Sequence, residues 1–575
     1  MPRIKIQAFG GMVPARDDRL LPDNNASDAA NVWTRSGALE GIRVPRDIHT
    51  LVNPAARYVF RVPKGAPDVL HIEDSYWLEF EDITTTVVKS PVRGSEEPAY
   101  YWANMSEPPG YTTFERIEAG DPNLVLGIPA PTVAPAVVPA GGVSTTTVTR
   151  SYVYTWVSAY GEEGPPSPPL VVTGKVDDTW AVTLTAPSVG DTTGRVLEDV
   201  RIYRTITSAQ GVAVYYLVTD QVIADTTYSD TLSDDTIIGQ GSLQSTSWTA
   251  PPSDLEGMVA MANGMLVGWR LNEVWFSEPY RPHAWPVEYV QLVDYNVVGA
   301  GAFDQSIVVG TEAYPFFATG SSPTTVSLRR IAAAEPCVSR GSIVATPRGV
   351  YYASPNGLIF AVPGAARNVT LAMIPKDHWA ELTNLTQLRA ALIDEAYYAF
   401  SGVIEGVFQV DAFQTDAFQQ EDYTGTRDGI FLDTQDERVA LSKLEYPEPT
   451  YNVLQDPWTG EVLLIREGKV KLLDVTYDVM GDYRWTSKIF TMPKPQNLSA
   501  VKFIWEAPLG GATPTGTMKT YADGVLVQTK STPPDKEVFR LPSGFKATTY
   551  QFVFEGNFDI KSIEIGSTVK DLQSV

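Results

Sequence analysis

The chain has 575 residues, 43% of them hydrophobic, which is too long for one ordinary domain and ample for several cores. Its formal charge of −24 argues against a protein that grips nucleic acid through clustered Lys and Arg, and leaves either plain solubility or a surface to which DNA does not adhere. A single cysteine, Cys337, excludes an intrachain disulfide, and the absence of any run of about 18 apolar residues argues against a membrane span.

Taken in chain order, the pattern is that of an all-β protein with four blocks. Residues 1–130 open with Met-Pro-Arg-Ile-Lys-Ile-Gln, which lacks the apolar core of a signal peptide. A helix is predicted for Ser27 to Trp33, and short strands such as Tyr58-Val-Phe-Arg-Val62 follow. Residues 127–142 carry four prolines and read as an extended, semi-stiff connector.

Residues 143–245 read as a self-contained sandwich. Tyr152, Tyr154 and Trp156 alternate along one strand, and residues 202–205 and 214–218 supply others. The stretch Ser151-Tyr-Val-Tyr-Thr-Trp-Val-Ser-Ala-Tyr-Gly-Glu-Glu-Gly-Pro-Pro-Ser167 resembles a fibronectin type III strand and loop.

Residues 246–485 form a succession of hairpins without helical crossovers, which predicts a propeller-like array of antiparallel sheets to which the first block contributes strands. Residues 349–362 are predicted to turn at Asn356-Gly357 in type I′ geometry. Residues 388–401 bend at Asp394-Glu395, and residues 460–474 turn near Gly468. A short helix is predicted for Lys376 to Leu382. Residues 486–575 alternate with a period of two (Val501, Phe503 and Trp505; Phe552 and Phe554; Ile563 and Ile565), with a turn over Ala522-Asp-Gly-Val525, and predict a C-terminal β-sandwich.

Chemistry-bearing motifs are scarce. Gly299-Ala-Gly301-Ala-Phe-Asp304 lacks the third glycine of a dinucleotide fingerprint. His49, His71, His283 and His378 are far apart and read as structural or surface residues. The acidic pairs Asp177-Asp178, Asp234-Asp235 and Glu421-Asp422 place neighbours on opposite faces of any strand, the wrong geometry for cooperation. No catalytic residue, metal ligand or cofactor is assigned, and the expectation is a protein that is not an enzyme. One segment stands apart. Phe408, Phe413 and Phe418 recur every five residues in a Phe-Gln pattern, a period that fits neither a helix face nor a strand face. Either the segment packs on its own domain, or it is an interaction loop that buries these rings against a neighbouring subunit.

The ordered segments carry a resemblance. Leu21-Pro-Asp-Asn-Asn-Ala-Ser-Asp-Ala-Ala-Asn-Val-Trp-Thr-Arg-Ser-Gly-Ala-Leu-Glu-Gly-Ile-Arg43 resembles the opening of tail nozzle proteins of short-tailed bacteriophages, the tail tubular protein B family. Asn272-Glu-Val-Trp-Phe-Ser-Glu-Pro-Tyr-Arg-Pro-His-Ala-Trp-Pro286, Cys337-Val-Ser-Arg-Gly-Ser342, Gly349-Val-Tyr-Tyr-Ala-Ser-Pro-Asn-Gly-Leu358, the Trp379 helix and Ala396-Tyr-Tyr-Ala-Phe400 resemble, in that order, the propeller portion of such proteins. The resemblance implies a structural virion protein of the tail, synthesised in the host cytoplasm. It implies a homo-oligomeric ring, usually a hexamer, whose axial channel retains and conducts the genome during ejection. The implied partners are a tail adaptor or connector ring, tail fibres or spikes, and double-stranded DNA in transient passage. Two other readings stay open: a receptor- or glycan-binding tail component, and a polysaccharide-degrading enzyme.

Overall fold

The computed structural model describes residues 3–65, 72–92, 98–206, 214–382, 384–401, 403–404, 423–424, 426–433, 440–473, 480–507, 513–542 and 544–573. The protein is all-β, and its helices among the described residues run to seven residues at most. Nearly all strand pairs are antiparallel, and the recurring module is a four-stranded meander. None of the described helices is long and apolar enough to cross a membrane. The chain divides into two compact units, Met1–Ile83 with Gly310–Pro315 and Ile331–Val575, and Thr84–Val309 with Phe316–Arg330.

The first unit is built on one large sheet. Its strands include Leu388–Ile393, Ala396–Ser401, Thr426–Asp433, Ala440–Thr450, Ala26–Ala30, Tyr483–Ser487, Ala547–Gly556, Gly516–Ala522 and Val525–Ser531, hydrogen-bonded in that order. A second sheet sets the N-terminal strand Arg3–Gln7 beside Asp559–Gly566, which also pairs with Ala500–Glu506. Alternation makes the shared core: Ile4 and Ile6, Val501 and Phe503, Phe552 and Phe554, and Ile563 and Ile565 are all buried, while Trp505 packs against them partly exposed. The residues 486–575 thus share their core with the start of the chain. Strand Arg46–Thr50 likewise completes the meander Asn452–Gln455, Val462–Arg466, Lys469–Leu473. A further meander runs through Val344–Thr346, Gly349–Ser354, Gly357–Val362 and Ala365–Asn368.

Two local expectations are corrected. Ser27 to Trp33 is not helical: Ala26–Ala30 and Val32–Trp33 are strands, broken at Asn31, whose φ is +55°. Pairing with Tyr483–Ser487 decides this, because ladder bonds and burial of Ala26 and Ala29 outweigh a weak local propensity. The turn expected at Asn356-Gly357 is centred one residue earlier. Ser354 faces Gly357, so Pro355 and Asn356 are the central pair, and proline cannot take the positive φ a type I′ turn requires. By contrast Asp394-Glu395 (φ +45° and +68°), Glu467-Gly468 (+45° and +73°) and Asp523-Gly524 (+48° and +78°) are two-residue turns with both φ positive. The helix Lys376–Leu382 forms as predicted, and its Trp379 is buried with its indole N–H donating to the Ser354 carbonyl at 2.9 Å.

The second unit contains the sandwich. One sheet has three strands (Ala136–Ala140, Thr179–Thr183, Thr227–Asp230) and the other four (Leu170–Lys175, Thr147–Ser158, Leu197–Thr205, Tyr215–Val222). Val137, Trp180 and Val182 from the first pack on Tyr152, Tyr154, Trp156, Val200 and Ile202 from the second. Within this core Arg204 Nε lies 2.8 Å from Asp230 and its Nη1 2.7 Å from Asp234, while Tyr152 donates to Asp230 at 2.7 Å. Meanders at Thr86–Lys89 to Leu124–Val125 and at Gly257–Ala260 to Gln291–Leu292 share a second core containing Tyr101, Tyr111, Trp275 and Trp285.

Candidate functional site

Phe408, Phe413 and Phe418 lie outside the described residues. His71, Glu421 and Asp422 also lie outside them, and the remaining sequence candidates resolve as structural groups. Gly299 and Gly301 sit inside strand Val297–Phe303, and a turn at Asp304 leads to another strand, so no phosphate-binding helix start exists there. Asp177 and Asp178 accept backbone N–H groups of Val143, Ser144, Gly142 and Lys175 and hold a loop closed. Asp234 binds two arginines, Arg150 and Arg204. His49 stacks on Trp77 at 5.0 Å and meets Glu79 at 3.0 Å. Among the described residues no group of three or more His, Cys, Asp or Glu could hold a metal ion.

One concavity lies within the second unit. It is a cavity of about 490 Å³ formed by three segments distant in sequence. The first is the pair of strands Ala99–Ala103 and Gly110–Thr113, where Tyr101 and Tyr111 are register partners whose rings stack at 5.7 Å. The second is the turn after strand Thr147–Ser158. Gly161 N donates to Ser158 O at 2.9 Å, and Gly161 takes φ +74°, which glycine adopts without strain. That turn delivers Glu162 and Glu163 to opposite sides. Glu163 accepts from Thr155 and Tyr203 at 2.7 Å and from Arg201 at 3.0 Å. Glu162 enters the cavity, where its Oε2 accepts from Tyr111 at 3.1 Å and from Ser158 at 3.2 Å. Burial nevertheless holds the Glu162 carboxyl above the usual carboxylate range.

The third segment, Tyr280 to His283, follows strand Glu273–Phe276. His283 is buried, with Nδ1 3.8 Å from Glu162 Oε1, and burial together with Arg281 lowers its pKa to about 4. It is neutral at physiological pH. Arg281 N donates to Glu278 O at 3.1 Å, closing a turn with Pro279 and Tyr280 at its centre. Tyr280 has φ +58°, the second central position of a type II turn, which glycine or asparagine normally fills. A tyrosine there costs about 1–2 kcal/mol in backbone strain. Its ring rests on Gly264, where any side chain would come within 2.5 Å of it. Yet Tyr280 is 51% exposed at the cavity's edge.

A second groove, in the first unit, is polar and self-satisfied. Arg484 at its centre binds Glu445 at 2.7 Å and Asp28 at 3.3 Å, and Lys519 binds Glu555 at 2.7 Å. Several other surface cations are engaged in the same way. Lys469 and Lys471 converge on Asp47, Arg270 bridges Asp254 and Glu273, and Arg3 and Lys5 share Glu564.

Sequence reasoning missed Glu162, Tyr280 and the role of His283. Glu162 lay in plain view in the Ser151–Ser167 stretch, next to Glu163. The available signal was an acidic pair after a strand rich in aromatics, where one of two alternating positions must face inward.

No known protein family matches the chain, and no curated protein matches it. Among solved structures it is similar to a chain of an S. cerevisiae Dbp5 complex with Nup159, Gle1, IP6 and ADP, at TM-score 0.24 and 10% identity, covering 61% of this chain and 88% of that one. It is also similar to the extracellular domain of the hybrid two-component system BT4673 from B. thetaiotaomicron, at TM-score 0.23 and 11% identity, covering 65% of this chain and 42% of that one. TM-scores of this size carry no conclusion.

Proposed function

We propose that the chain is a structural, non-enzymatic protein of a short-tailed bacteriophage tail. In this reading it forms a ring, of six copies in the usual nozzle, through which the genome is retained and then conducted. The chain would contact an adaptor ring above and fibres or spikes beside it. The four-stranded meanders are the kind of sheet from which propellers are built, which supports the propeller-like array implied by the resemblance of residues 1–45 and 250–400.

The observation that carries the reading is electrostatic. Cations on the described surface are repeatedly engaged by the chain's own carboxylates, and a net −24 remains. Phosphate binding needs free, clustered cations that can displace condensed counterions. A surface of this kind repels a DNA duplex sliding past it, as a conduit requires.

Immunogold labelling of purified virions with antibodies against the chain tests the proposal. Label on the tail axis or tip is the expected result. Label confined to peripheral fibres, or absence of the chain from virions by mass spectrometry, overturns it.

A further inference from the structure

The cavity between the tyrosine pair and the Tyr280 turn is not needed by a conduit. Its volume of about 490 Å³ is that of a small-molecule site. Tyr101 and Tyr111 are buried in its wall, while Tyr160 and Tyr280 border it with ring surface accessible. Tyr111 and Tyr160 meet edge to face at 6.2 Å, so the walls are packed and fixed in advance of any ligand. The turn at Tyr280 adds an independent sign. Strained backbone at an exposed residue persists where the surrounding structure enforces it, and such positions cluster at ligand clamps. Here the strain keeps a half-exposed ring at the cavity's edge when glycine would sit there more comfortably.

The charges at the site restrict the ligand class. Arg281 borders the cavity with its guanidinium over the Trp248 ring at 4.4 Å, and it opposes a cationic guest. The acidic Glu162 opposes an anion. What remains is a neutral molecule with an apolar face to stack on tyrosine and several hydroxyls to exchange hydrogen bonds with Glu162, Ser90 and Thr113. We infer that this cavity is a binding site for one neutral pyranose ring of a glycan, stacked on Tyr280 and hydrogen-bonded by Glu162. The inference stands on the cavity alone, and failure of the tail reading would leave it intact.

Saturation-transfer difference NMR on the full chain tests it, with the methyl glycosides of glucose, galactose and N-acetylglucosamine as neutral probes and choline and methyl glucuronoside as charged ones. Transfer to the ring protons of at least one neutral glycoside is expected. Tyr280→Gly and Glu162→Gln should each reduce it at least fivefold. Tyr280→Gly should leave the melting temperature unchanged or higher, because it relieves the turn, so lost binding cannot be laid to lost folding. Absence of transfer to all three neutral glycosides overturns the inference. So does transfer that survives both variants, or transfer to a charged probe alone.

Discussion

Arg61 and Asp456 stand 395 positions apart, are both fully buried, and form a two-pronged ion pair, Nε to Oδ1 at 3.0 Å and Nη2 to Oδ2 at 2.7 Å. The remaining capacity is also filled. Asp456 Oδ2 accepts from Thr459 N–H at 3.0 Å and its hydroxyl at 2.7 Å, while Ser75 lies 3.3 Å from Arg61 Nη1. The pair ties the hairpin Tyr58–Pro63, Ser75–Phe80 to the meander that begins at Asn452–Gln455. Replacing both residues by apolar ones of similar volume is often neutral, but removing one leaves an uncompensated buried charge. Asp456→Ala should therefore destabilise the protein by about 3–5 kcal/mol, and the double variant Arg61→Met, Asp456→Leu by much less. Denaturant unfolding of both variants checks this. Equal losses would mean that packing, and not charge pairing, dominates at the site.

The turn Asp394-Glu395 makes a second prediction because its two residues share a strained conformation but not their partners. Both have positive φ, which costs a non-glycine residue about 1–2 kcal/mol. Arg35 holds Asp394 through its carboxylate and also reaches Asp433 at 3.3 Å. Glu395 pairs with Arg348 where both side chains are largely exposed, which is worth about 0–1 kcal/mol. Glu395→Gly should thus be neutral or stabilising, and should gain more than Asp394→Gly, where loss of the contact with the less exposed Arg35 offsets part of the relieved strain. The reverse order would show that Arg35 contributes nothing there.

Those turns also mark the limit of what local sequence reveals. Glu467-Gly468 and Asp523-Gly524 were legible because glycine or a turn-prone acid interrupts two β-prone runs. Alternation likewise exposed Val501, Phe503, Phe552 and Phe554 as core. What fails is what depends on distant partners. Ala26–Ala30 is a strand because residues 483–487 lie beside it, a contact no window around Ser27 contains. The cavity draws on residues near 100, 160 and 280, so neither its shape nor the strained φ of Tyr280 has a local signature.

Asp559 yields a pH prediction. Burial, reinforced by Glu40 and Glu506, raises its pKa from 3.8 to about 6 against the opposing pull of Lys561 and Arg43, and its Oδ1 has no hydrogen-bond partner. The folded state therefore binds this proton more tightly than the unfolded state does. The resulting stabilisation is fully present below about pH 4 and is lost as pH rises through about 6. Asp559→Asn mimics the protonated form at every pH. It should raise the melting temperature at pH 8 and have little effect at pH 4. A gain of the same size at both values would assign the effect to shape and not to the proton.

Cys337 offers a reporter of opening. The side chain is buried, its thiol donates to the Ser339 carbonyl at 3.5 Å, and its own N–H donates to Thr311 O at 2.9 Å. Burial pushes its pKa up to about 12 against the hydrogen bonds and the Arg340 charge that lower it. Only the thiolate attacks a disulfide reagent, so at pH 8 the folded protein presents almost none of the reactive form, behind a closed surface. Native protein should be inert to Ellman's reagent at pH 8 over hours and should release one equivalent of thionitrobenzoate in denaturant. At intermediate denaturant the labelling rate should follow the opening of this part of the first unit, since reaction requires the thiol both to reach solvent and to ionise. Rapid labelling of the native protein would show that residues 337–342 open without global unfolding, and would make that segment, and not the core around it, the weak point of the unit.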